Sequence, residues 1–160
     1  METRNRADVE KIVKWIKNAF DESHGEYAII GMSGGKDSTI AAELCKRALG
    51  ANHVICVSIP MEKDDSEVRN IVTEVLHIPK ENFYSVNIQG AFGEILSSIC
   101  EFNEVDENKN MRINVPPRLR MTVLYAIATL YPCARVINTC NLSENVIGYF
   151  TKFGDGAVYT

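Results

Sequence analysis

Apolar residues recur at helical spacing from early in the chain: Val9, Ile12, Val13, Ile16, Ala19 and Phe20 make one stripe. That stripe predicts a helix over residues 5–21 with a single buried face. The unbroken apolar run Tyr27-Ala28-Ile29-Ile30 predicts a first strand, closed by Gly31. From Ser38 the period returns to helical, with Ala41, Leu44, Cys45 and Ala48 on one face and Gly50 as the stop. Residues 53–59 are almost continuously apolar, as a strand is when helices cover both of its faces. Asp64 and Glu67 have the spacing of a capping box ahead of Val68, Ile71, Val72, Val75 and Leu76, a third helix.

The second half continues the alternation. A strand is expected over residues 83–88 and a helix over 90–101, followed by the polar, acidic stretch 101–114, which reads as an exposed loop. Pro116-Pro117 suit the entry of a helix over 118–130. A fourth strand is expected over 134–139 and a helix over 143–150. Strands that alternate with helices favour an α/β fold: a doubly wound, mostly parallel sheet with helices on both faces. The length of 160 residues suits a single domain over 1–160. Ligands of such sheets bind beyond the carboxyl ends of strands. The segments 31–38 and 139–141 both lie at such ends and are expected to face one crevice.

Composition changes this picture little. Hydrophobic residues make 46% and charged residues 24% of the chain, as in ordinary soluble domains. A net charge of −4 argues against a general nucleic-acid surface. No apolar run approaches the ~20 residues of a membrane helix. The charged start METRNRADVEK is not a signal peptide, so a cytoplasmic location is expected. Cys45, Cys56, Cys100, Cys133 and Cys140 form no CxxC pair and read as reduced core residues. The histidines His24, His53 and His77 are scattered and carry no assigned role.

The candidate chemistry begins at Gly31-Met32-Ser33-Gly34-Gly35-Lys36-Asp37-Ser38, between a strand and a helix. Small residues there let several backbone amides converge on a phosphate, and the helix start adds about +0.5 of a charge. It is not a Walker A loop, because Lys36 is followed by Asp37 rather than by Ser or Thr. An acid inside a phosphate loop calls for a neutralising cation, and Mg²⁺ bridges carboxylate and phosphate oxygens.

SGGKDS resembles the SGGxDS signature of the N-type ATP pyrophosphatases, which cleave ATP between the α- and β-phosphates and transfer AMP. Residues 114–121, NVPPRLRM, and 138–156, ending GYFTKFGDG, resemble segments of the ammonia-dependent NAD synthetases. The resemblance runs in order from residue 9 to 158. It implies ATP-dependent amidation of deamido-NAD by ammonia, through an adenylated intermediate. It implies that residues 31–38 and Thr139 hold ATP and that Asp37 and Glu144 hold Mg²⁺. It further implies that Arg118 and Lys152 contact deamido-NAD, with Asp37 and Lys152 the residues closest to the chemistry. Asp155 either binds the substrate or shapes the Gly154-Asp155-Gly156 turn.

Arg120, two places past Arg118, points away from it on a helix and is expected to be a solvated surface residue. Tyr159 stands where the family has an acid that contacts deamido-NAD. Family members continue past this point, so the chain is expected to lack their C-terminal contacts and to turn over poorly. No glutamine-hydrolysing domain is expected before the first helix, which leaves free ammonia as the nitrogen source. The family implies a homodimer. Met121, Val123, Leu124, Tyr125, Ile127 and Leu130 suit a helix apolar on much of its circumference, which a second copy or another helix of the same chain could cover. Competing readings are a tRNA-thiolating pyrophosphatase and a catalytically incompetent nucleotide-binding module. The first calls for a basic face and cysteine pairs, neither of which is evident.

Overall fold

Strand β1 (Tyr27–Met32) is the spine of the molecule, and Ala28, Ile29 and Ile30 within it have no solvent exposure. The computed structural model describes residues 2–61, 64–100, 109–140, 146 and 151–154. Around β1 stand α1 (Glu2–Glu22), α2 (Lys36–Leu49), β2 (Val54–Ser58), α3 (Ser66–Asn70), β3 (Phe83–Ser85), α4 (Gln89–Cys100), α5 (Lys109–Ala128) and β4 (Ala134–Val136). The strands pair in the order β3-β2-β1-β4, and every pair is parallel. Parallel neighbours need crossovers, and here the helices supply them.

Alternation along the strands sorts the core into two layers. Ala28 and Ile30 of β1 pair with Val54 and Cys56 of β2 and turn to the face covered by Phe20, Ala42, Cys45, Val72 and Leu76. Ile29, Ile55 and Val57 turn to the opposite face and pack on Met121, Leu124 and Ile127 of α5. The doubly wound arrangement expected from the alternating pattern is therefore the one found. Among the described residues no helix is long and apolar enough to cross a membrane.

Four elements have boundaries that differ from the sequence reading. Helix α5 starts at Lys109, so Pro116 and Pro117 lie inside it rather than at its entry. Neither proline can donate to the carbonyl one turn earlier, at residues 112 and 113. Side chains supplement the ladder on either side: Asn114 Nδ2 donates to Asn110 O at 2.9 Å and Thr122 Oγ1 to Arg118 O at 3.0 Å. Helix α3 has Asp65, not Asp64, at its N-cap, and Asp65 makes no capping bond. Asp64 Oδ1 instead accepts the Ser66 amide at 2.9 Å, a two-residue turn that displaces the expected capping box. The helix then widens over Ile71–Val75, where Leu76 N reaches back to Ile71 O at 2.9 Å. Strands β3 and β4 are shorter than predicted, three residues each, and the helix expected over 143–150 lies outside the described residues apart from Val146.

Candidate functional site

The chain leaves β1 at Met32 and enters α2 at Lys36, so residues 33–35 must reverse direction within one tight loop. Gly34 makes that possible at φ +78°, a conformation costly for a residue with a Cβ. Gly35 caps α2 without a side-chain bond, so the first-turn amides keep no capping partner from their own N-cap. Within the loop the serines close a ring. Gly35 N donates to Ser33 Oγ at 3.2 Å, and Ser38 Oγ donates to Gly35 O at 3.1 Å. The Ser33 and Ser38 hydroxyls lie 3.2 Å apart. Since Ser38 has one hydroxyl proton and spends it on Gly35 O, Ser33 is the donor between them.

A cleft of about 600 Å³ opens over the carboxyl ends of the strands. Gly31, Met32, Ser33, Asp37 and Ser38 line it from one side, and Asn138, Thr139 and Cys140 line it from the end of β4. Parallel pairing of β1 with β4 brings these distant segments to one rim. The Met32 side chain itself turns into the core, so its backbone serves the cleft. Gly34, Gly35 and Lys36 complete the loop without lining the cleft, and Lys36 is exposed.

Pro60, Asp64 and Asp65 form a third wall, which sequence reasoning missed. Asp64 is held below the usual carboxylate range by its bond to the Ser66 amide. Asp65 Oδ2 is buried with no hydrogen-bond partner among the described residues, an arrangement that costs about 1–3 kcal/mol unless a donor arrives. The signal available was the pair of acids at the mouth of a predicted βα connection.

The arginines of α5 are placed the other way round from the expectation. Arg118 is exposed and absent from the cleft wall, while Arg120 is half-buried and lines it. Arg120 Nε donates to Ile59 O at 3.2 Å. Helical phase explains this. Arg120, Leu124 and Ile127 stand at i, i+4 and i+7, and the last two are buried against the sheet. Arg118 shares its face with Thr122 and Tyr125, both exposed. The phase was legible in the apolar spacing of the helix.

Arg118 and Lys152 are nonetheless brought together, since Arg118 Nε donates to Lys152 O at 3.1 Å. The Lys152 ammonium stands 5.1 Å from the centre of the Phe153 ring. Glu144 and Asp155 lie outside the described residues. Among the described residues no group of three His, Cys, Asp or Glu side chains could hold a metal ion by itself. Magnesium does not need one, because it is held through one or two carboxylates with phosphate oxygens and water. Asp37 on the cleft wall fits that requirement.

The comparisons agree with this geometry. The NAD synthase family model matches residues 8–159. The chain is 33% identical over 158 residues to the NH(3)-dependent NAD(+) synthetase of Pyrobaculum aerophilum, covering 96% of this chain and 58% of that protein. The structure of NMN synthetase from Francisella tularensis superposes with a TM-score of 0.81 at 32% identity, over 96% of this chain and 62% of the other. The NH3-dependent NAD synthetase from Campylobacter jejuni superposes with a TM-score of 0.80 at 27% identity, over 96% and 64%. The chain thus spans under two thirds of the length of these proteins.

Proposed function

The chain belongs to the NAD synthase family, and from that premise we propose that it serves the ATP-dependent amidation of deamido-NAD to NAD, with ammonia as the nitrogen donor. The observation that carries this reading is the cleft in which Ser33, Asp37 and Ser38 of the 31–38 loop meet Thr139 at the carboxyl rim. Gly31 to Ser38 and Thr139 hold ATP, the loop amides and the α2 dipole facing its phosphates. Asp37, joined by Glu144, holds Mg²⁺. That ion, when bound, neutralises phosphate charge and favours departure of pyrophosphate.

Arg118, Lys152 and Asp155 hold deamido-NAD, so that its nicotinate carboxylate meets the α-phosphate of ATP. The carboxylate forms a bond to that phosphorus as the bond to pyrophosphate breaks. Ammonia then attacks the activated carbonyl and AMP leaves. Holding the carboxylate against the bound ATP supplies the positional advantage of an intramolecular reaction. We place the protein in the cytoplasm, a setting supported by its free cysteines.

Incubation with ATP, Mg²⁺, ammonium and deamido-NAD should yield NAD, AMP and pyrophosphate in equal amounts. ADP with phosphate would overturn the mechanism, since a different bond would then be cleaved. The likeness to the NMN synthetase of Francisella tularensis carries a second reading, in which the acceptor is the mononucleotide. Nicotinate mononucleotide offered in competition decides between the two: preferential conversion of it would replace deamido-NAD as the substrate.

A further inference from the structure

We propose that Arg120 binds phosphate oxygens of the nucleotide held in the cleft. This rests on the nucleotide-binding reading above and assigns a residue to it. Three aspartates, Asp37, Asp64 and Asp65, line the described cleft, and Arg120 is the one cationic side chain among the lining residues. A polyphosphate entering that wall meets net negative charge, and one guanidinium offsets part of the repulsion.

The side chain is also positioned for the task. Its Nε is spent on Ile59 O at 3.2 Å, which fixes the plane of the guanidinium. The two terminal nitrogens have no hydrogen-bond or ion-pair partner among the described residues. A guanidinium anchored through Nε and open at both termini presents a fork that matches two oxygens of one phosphate. Leu124 and Ile127, on the same stripe, pack on the sheet and hold this face of α5 toward the cleft. Arg118 has no such position, being exposed and tied to Lys152 O.

Calorimetric titration of the purified chain with Mg·ATP and with adenosine tests this, using Arg120→Gln and Arg120→Lys. Loss of a charge-assisted bond should weaken Mg·ATP about 10- to 100-fold in Arg120→Gln, with adenosine affinity unchanged. Arg120→Lys should recover part of the loss, as a point charge without the fork. The same variants titrated with deamido-NAD identify the source of the phosphate. A loss confined to that ligand also supports the proposal, with the phosphates of the acceptor in place of those of ATP. Equal affinities of wild type and Arg120→Gln for both nucleotides would overturn it. So would an equal loss for adenosine, which would mark stacking or a folding defect. Failure of the wild-type chain to bind ATP at all would instead sink the nucleotide-binding reading, and this inference with it.

Discussion

Cys45 of α2 and Cys56 of β2 lie in the same core layer, and burial pushes both thiols up to about 12. Unfolded, each would ionise near pH 8.5. The folded value lies above the unfolded one, so this contribution to stability is complete below about pH 8.5 and is lost as pH rises toward 12. Urea unfolding at pH 10.5 should therefore show a loss of about 2–3 kcal/mol per thiol relative to pH 8, an order-of-magnitude figure. The Cys45→Ala, Cys56→Ala double variant should lose correspondingly less; an identical pH slope would show that other groups set it. The residue scale is also where the sequence was hardest to read. The loop serines and Asp37 declared themselves through an unusual string. Arg118 and Arg120 differ only in helical phase, and that phase is fixed by which apolar residues dock on the sheet. Asp65 was hidden because the spacing to Glu67 drew attention to Asp64 as a cap, although the pair of acids stood in plain view after a predicted strand.

Elements were read well where both faces are buried and poorly where polarity misleads. Strands β1 and β2 are almost continuously apolar because helices cover each side, so their runs stood out. The first turns of α5 are polar and precede two prolines, which locally favour a helix start, yet the helix runs through them. Those turns have a docking partner. Thr151 Oγ1 donates to Asn114 Oδ1 at 3.3 Å, and Arg118 Nε reaches Lys152 O, so residues 151–154 lie on one face of α5. Gly154 sits at the close approach: a Cβ there would come within 2.9 Å of Pro117 Cβ and 3.2 Å of Thr151 O. Gly154→Ala should cost about 1–3 kcal/mol by overpacking, read as a lower melting temperature. Replacing Pro117 by Gly alongside it should recover part of the clash; a neutral Gly154→Ala would show that the turn is not seated on α5.

The whole molecule places its chemistry on one rim because every strand runs the same way. That much followed from alternating strands and helices. The apolar surround expected of α5 did not, since Met121, Leu124 and Ile127 face the sheet while Thr122 and Tyr125 are exposed on its outer face and Leu130 is exposed just past its end. Tyr125 is 47% and Leu130 66% exposed. We propose that the homodimer implied by the family resemblance is built on this face, with the helices related by a two-fold axis. Sedimentation velocity at micromolar concentration should give a species of twice the 17.9 kDa chain mass. Leu130→Asp should shift it toward monomer and make the melting temperature independent of protein concentration, and a monomer in the wild type would refute the interface.

The serine ring bears on which anions the loop can hold. Gly35 N, Ser33 Oγ, Ser38 Oγ and Gly35 O form a closed circuit with spacings of 3.1–3.2 Å, near the long end of hydrogen bonding. The Gly35 amide and both serine hydroxyls thus meet a ligand already engaged, and occupancy of these groups is an exchange of partners, unlike the uncapped first-turn amides of α2. An anion must return as many bonds as it breaks, so a bare halide gains little here, whereas an oxyanion with several acceptor oxygens can take the Gly35 amide and both hydroxyl protons together. Discrimination among anions is in this way written into the resting state of the loop.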